Sequence, residues 1–136
     1  MAKKRPTTKV SNQESKNYFS KANEFFECSI TALSTNNWNV AGLLAVQAVI
    51  SAADSLSGFL AGIRSTSQDH GDTATLLKSI ATDTSKEWSA QANRFSRIIS
   101  KKNLIQYEGR ELSEKEAVDL VEQARRFINW VRKNIP

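Results

Sequence analysis

The run from Trp38 to Ala61, WNVAGLLAVQAVISAADSLSGFLA, constrains this chain more than any other stretch. Wound into a helix it is apolar on nearly every side. Leu43, Leu44, Val46, Ile50, Leu56, Phe59 and Leu60 supply bulk, while Ala41, Gly42, Ala45, Ala48, Ala52 and Ala53 let neighbouring backbones come close. A helix without a polar face must be wrapped by other helices or by lipid. Gln47, Ser51 and Asp54 argue against lipid, because an aspartate at the centre of a membrane span costs about 2.5–3.5 kcal/mol. The run is therefore expected to be the central helix of a bundle in water, with no membrane partner.

The helices that would wrap it can be read from their starts. Three segments open with a Ser or Thr followed three residues later by Glu: Ser11 with Glu14, Thr84 with Glu87, and Ser113 with Glu116. In such a capping box the hydroxyl accepts the third amide and the carboxylate reaches back to the first. The first box predicts a helix whose core face carries Tyr18, Ala22, Phe25, Phe26, Ser29, Ile30 and Leu33, ending near Ser34, with Asn36 and Asn37 placed to cap the next. Gly62 and residues 64–71 read as a loop, followed by a short helix holding Leu76, Leu77 and Ile80. The second box predicts a helix from about Ser85 to Tyr107, with Gly109 as its left-handed terminator. The third predicts a last helix from Glu114 to about Lys133, with Arg132 and Lys133 complementing its dipole. No segment reads as a strand. The expected fold is all-α: an up-down four-helix bundle with one additional short helix.

Its organisation is expected to be one domain over residues 11–136 behind a disordered basic tail at residues 1–10. A chain of 136 residues needs no disulfide or metal to build a core. The one cysteine, Cys28, lies in the apolar context EFFECSITAL and reads as small core filler. The amino-terminal MAKKRPTTKV lacks the apolar segment of an export signal, so a cytoplasmic setting is expected. The net charge of +5 is uneven: residues 1–10 carry +4, residues 11–83 carry −3 and residues 84–136 carry +4. That distribution excludes a strongly basic nonspecific nucleic-acid binder and leaves room for a basic face in the last third.

Few residues point to chemistry. A single histidine, His70, has no second His or Cys near it, so no metal and no cofactor are expected; it reads as a polar residue serving a loop or a helix terminus. Asp54 shares a helix face with Gln47 and, if buried, needs a partner, for which the basic groups of the fourth helix are available. The end of that fourth helix is the best candidate site. Arg94, Arg97 and Lys101 form one stripe suited to a nucleic-acid backbone. Phe95, Ile99, Asn103 and Tyr107 form another, with Lys102 at its edge. Paired with its copy across a two-fold axis, this end would present a polar cleft with cations for phosphate. Alone, it would be the solvated end of a helix.

The order of these pieces resembles the HEPN domain family, over about residues 13 to 134. The resemblance rests on the aromatic first helix NYFSKANEFFECSITAL, on NNWNVAGLLAVQAVISAADSL, on DHGDTATLL opening the third helix, on KKNLIQYEG, and on the acidic start LSEKEA. It implies a homodimer that binds RNA or a nucleotide. It also implies metal-independent endoribonuclease chemistry from an Arg, a following polar residue and a His near the end of helix four, positions filled here by Lys102, Asn103 and Tyr107. Lysine keeps the charge but loses the bidentate fork, and a phenol with an ordinary pKa near 10 is a poor base at neutral pH. The resemblance thus leaves open a weak or a degenerate ribonuclease. For bacterial members it also implies a toxin–antitoxin or defence pair with a nucleotidyltransferase partner. The alternative is a non-catalytic helical module that docks another protein.

Overall fold

In the computed structural model, which describes residues 5–82 and 85–136, eight elements follow one another: β1 (Thr7–Lys9), α1 (Asn12–Ser34), α2 (Trp38–Ala61), β2 (Ile63–Ser65), α3 (Gly71–Ser79), α4 (Lys86–Ile99), α5 (Lys102–Tyr107) and α6 (Glu114–Asn134). The fold is all-α in class, a helical bundle with one small two-stranded ladder. Helix α2 lies at its centre, touching α1, α3, α4, α5, α6 and β2. It is long and apolar enough by composition to cross a membrane, yet 67% of its apolar window is buried inside the bundle, which accounts for its hydropathy.

Small residues make this crowding possible. A side chain at Gly58 would collide with Ser15 Oγ and come within 2.8 Å of Val10 Cγ1, so α1 and the segment before it sit directly on the α2 backbone. Ser55 Oγ adds a buried 2.8 Å bond to the Ser15 carbonyl. Gly62 then ends α2 in the left-handed region at φ 67°, its N–H donating to the Gly58 carbonyl. At the start of α2, Asn37 occupies the capping position and its carbonyl accepts from Ala41 N, but its side chain makes no capping bond and its amide donates to Thr35 Oγ1 instead.

The capping boxes of Ser11 with Glu14 and Ser113 with Glu116 both form, and each sets its helix start. Thr84 lies outside the described residues. The capping hydroxyl of α4 belongs to Ser85, which accepts from Trp88 N. Behind that cap, Trp88, Phe95, Phe127 and Trp130 form a continuous aromatic cluster between α4 and α6. Their ring centroids lie 4.8–5.7 Å apart. Trp88 Nε1 also donates a 2.7 Å bond to the Leu77 carbonyl, fastening α3 to α4.

Four expectations need correction. Residues 7–9 form a strand, antiparallel to β2 with Thr8 opposite Arg64, and Val10 behind it is buried. Three-residue strands carry no alternation to read. The fourth helix does not run unbroken to Tyr107: Lys101 N bonds the Ile98 carbonyl three residues back, and Ser100 Oγ takes the Arg97 carbonyl at 2.6 Å. The change to three-residue backbone bonding at Lys101 marks the end of α4, and α5 follows as a separate element. Gly109 is not left-handed, since the chain leaves α5 through an extended Glu108. Cys28 is exposed and so is Ile30, because each lies one residue, about 100° round the helix, from buried Ser29.

Candidate functional site

The loop before α3 is built from short polar residues that bond their own backbone. Ser65 Oγ accepts from Ser67 N at 3.3 Å, Ser67 Oγ from Asp69 N at 3.1 Å, and Asp69 Oδ1 from Gly71 N at 2.9 Å. Side-chain oxygens that accept an amide two residues on stand in for backbone turns, so three in succession make a defined loop. His70 sits at the end of it, in the capping position of α3 but without a capping bond.

The imidazole instead turns toward α5. Lys102 Nζ lies 3.4 Å from His70 Nε2. An ammonium only donates, so Nε2 is the acceptor and the ring proton sits on Nδ1. Burial pulls the pKa of His70 below its ordinary value; the Lys102 charge pulls the same way and Asp69 opposes. The ring is therefore a neutral acceptor at neutral pH.

Around this pair lies a cleft of about 810 Å³ between the loop and the α4–α5 corner. Asp69, His70 and Gly71 line one side, Ser96, Ile99 and Ser100 the floor, and Lys102, Asn103, Gln106 and Tyr107 the other. Lys102 is half-buried, Asn103 is exposed, and Tyr107 stands at the mouth with 78% of its surface in solvent. The stripe from Phe95 to Tyr107 thus passes from core to water as it crosses the break after Ile99.

The expected nucleic-acid stripe divides differently. Arg97 and Lys101 are exposed and do not line the cleft. Arg94 is held by Gln123 Oε1 and Gln91 Oε1, both at 2.9 Å, and borders a separate groove with Arg126 and Lys133. Lys102, Asn103 and Tyr107 are brought together, and His70, read from sequence as a loop residue, joins them. Its place in DHGDTATLL was visible, but no spacing rule ties residue 70 to residue 102. Among the described residues no cluster of three or more His, Cys, Asp or Glu side chains is gathered for a metal.

Asp54 is buried on α2, and its partner is Arg64 of β2 rather than a base of the fourth helix, with Oδ2 at 3.9 Å from Nη1. Burial pushes its carboxyl up to about 7 against the opposing Arg64 charge. It lies outside the cleft.

Comparison with known proteins bears on the same elements. A solved crystal structure described as an archaeal HEPN homologue superposes with a TM-score of 0.66, at 18% identity, covering 90% of this chain and 98% of that one. No curated protein matches the chain. The sequence model of the HEPN domain matches residues 15–134, from the first turn of α1 to the end of α6. The chain belongs to the HEPN domain family.

Proposed function

We propose that this protein binds RNA or a nucleotide through its phosphates, in the cleft between the loop before α3 and the α4–α5 corner. One observation carries the reading: Lys102, Asn103, Tyr107 and His70 line a single open cleft of about 810 Å³. Lys102 supplies the charge for a phosphate, Asn103 and Gln106 supply amides for sugar or base edges, and Tyr107 offers an aromatic face at the mouth for a base to stack on. Asp69, the acid lining the cleft, accepts the Gly71 amide through Oδ1.

In this reading the protein acts as a homodimer, with the exposed Tyr107 edges of two copies facing one another, in the setting of a toxin–antitoxin or defence pair. With one lysine and no arginine in the cleft, binding is the primary activity and metal-independent cleavage is weak or lost.

The test is binding of single-stranded RNA measured by fluorescence anisotropy across a salt series. Wild-type protein is expected to lose affinity steeply with salt. Lys102→Ala is expected to bind roughly tenfold more weakly, with a salt slope lower by about 1. Absence of binding, or Lys102→Ala binding like wild type, would overturn the assignment and favour a protein-docking module. Incubation with total RNA and a chelator reports cleavage in the same preparations.

A further inference from the structure

We propose that His70 and Lys102 form a phosphate clamp whose second cation is made by the ligand itself: an entering phosphodiester draws the Lys102 ammonium away from His70 and leaves the imidazole to take up a proton. This deepens the binding assignment above and rests on it.

Three observations support the clamp. The two groups share one cleft, though they come from α5 and from the loop before α3. His70 Nε2 accepts from Lys102 Nζ at 3.4 Å, so the imidazole serves the lysine rather than capping α3. The cleft itself is open enough, at about 810 Å³, for a phosphate with its sugar to reach both nitrogens.

The charges facing His70 set the direction of the change. Its own loop contributes Asp69, whose Oδ1 accepts the Gly71 amide, and α3 contributes Asp72, which pairs with Arg5 at 3.4 Å. From α5 come Lys102 and, at the mouth, Tyr107, whereas α4 lines the cleft only with Ser96, Ile99 and Ser100. Of these charges the Lys102 ammonium acts on the ring most strongly, ahead of the opposing Asp69 carboxylate. It keeps the ring neutral, in the same sense as burial. A phosphate oxygen between the two nitrogens cancels that repulsion and accepts a hydrogen bond from each. No bond between heavy atoms changes: one proton leaves solvent, breaking an O–H bond there, and forms the Nε2–H bond as the complex forms.

The linkage has a defined sign. A group whose pKa is higher in the complex than in the free protein favours binding at low pH, and the gain fades as pH rises through the pKa of the complex. Because His70 is the sole histidine, its imidazole signal can be followed without assignment. The probe is a 2′-O-methyl RNA hexamer with hydroxyl at both ends, since phosphodiesters do not titrate near neutrality and the sugar cannot be cleaved.

An NMR pH titration of the full chain is expected to give a His70 pKa below 6.5 without the hexamer and at least about one unit higher with it. Affinity is expected to fall by up to about tenfold per pH unit between those two values. In His70→Gln binding persists with that pH dependence flattened, and in Lys102→Met the free pKa of His70 rises. Hexamer binding that needs Lys102 yet leaves the His70 pKa unmoved would overturn the clamp while the binding assignment stands. No binding by wild type, or binding indifferent to Lys102, would overturn both.

Discussion

The indole of Trp88 donates a buried 2.7 Å hydrogen bond to the carbonyl of Leu77, one of the last carbonyls of α3. Such carbonyls have no partner within their own helix, so this bond both closes α3 and holds it against α4. Trp88→Phe keeps an aromatic ring beside Trp130 and removes only the donor. It is expected to destabilise the protein by roughly 1–3 kcal/mol, the cost of an unsatisfied buried carbonyl. Urea unfolding measures the loss. Amide exchange should quicken first in residues 71–79, where α3 loses its tie.

Asp54 makes stability depend on pH. Its carboxyl titrates at about 7 in the folded protein, against a reference value of 3.8. A raised carboxylate pKa contributes stability that is fully present below the unfolded value and is lost as pH rises through the folded one. Wild-type protein is therefore expected to weaken between about pH 4 and pH 7, by an upper limit on the order of 4 kcal/mol. Asp54→Asn should flatten that slope in denaturant titrations across the range. An unchanged slope would place the titrating group elsewhere.

Gly58 has no room for a methyl group. A Cβ there meets Ser15 Oγ, and Ser15 is fully buried on the face of α1 that packs on α2. Gly58→Ala is expected to cost about 1–3 kcal/mol through overpacking, despite alanine being the better helix former. The midpoint of chemical unfolding reports it. A stabilised variant would mean that α1 shifts freely on α2.

Arg94 separates the cleft from the second basic groove. Its guanidinium is bound by Gln91 and Gln123 and borders the groove of Arg126 and Lys133. Arg94→Gln is expected to leave RNA affinity within about threefold of wild type, against the roughly tenfold loss of Lys102→Ala. Equal losses in an anisotropy titration would move the binding surface onto α4 and α6.

Tyr107 distinguishes ring from hydroxyl. Its side chain stands at the cleft mouth, 78% exposed. If a base stacks on it, Tyr107→Phe should bind as wild type does, and Tyr107→Ala should lose about 1–3 kcal/mol of binding free energy. The same titrations read both variants. A loss in Tyr107→Phe equal to that in Tyr107→Ala would assign the contact to the phenol.

What the sequence disclosed follows from how local each determinant is. The bounds of α2 were legible because Asn37 and Gly62 mark them within a few residues, and the first and last helix starts because a capping box is complete in four. The break after Ile99 was hidden, since Ser100 and Lys101 are ordinary helix residues and only the backbone bond from Lys101 N to the Ile98 carbonyl marks the change. The outward turn of Cys28 lay one residue from a buried stripe and was obscured by the aromatic pair before it. Strand β1 depends on pairing with β2, far along the chain, and the local sequence holds no trace of that partner. The cleft was half legible for the same reason: Lys102, Asn103 and Tyr107 are neighbours on one short helix, while His70 reaches them only through tertiary packing.

That division means the cleft is not portable. A peptide spanning α4 to α6, or a graft of the α5 residues onto another scaffold, would carry the lysine, the amide and the phenol but leave the imidazole behind with α3. Relatives that keep the α5 residues and lose the histidine would retain half of the proposed clamp, and a motif search confined to α5 would rank them as equals.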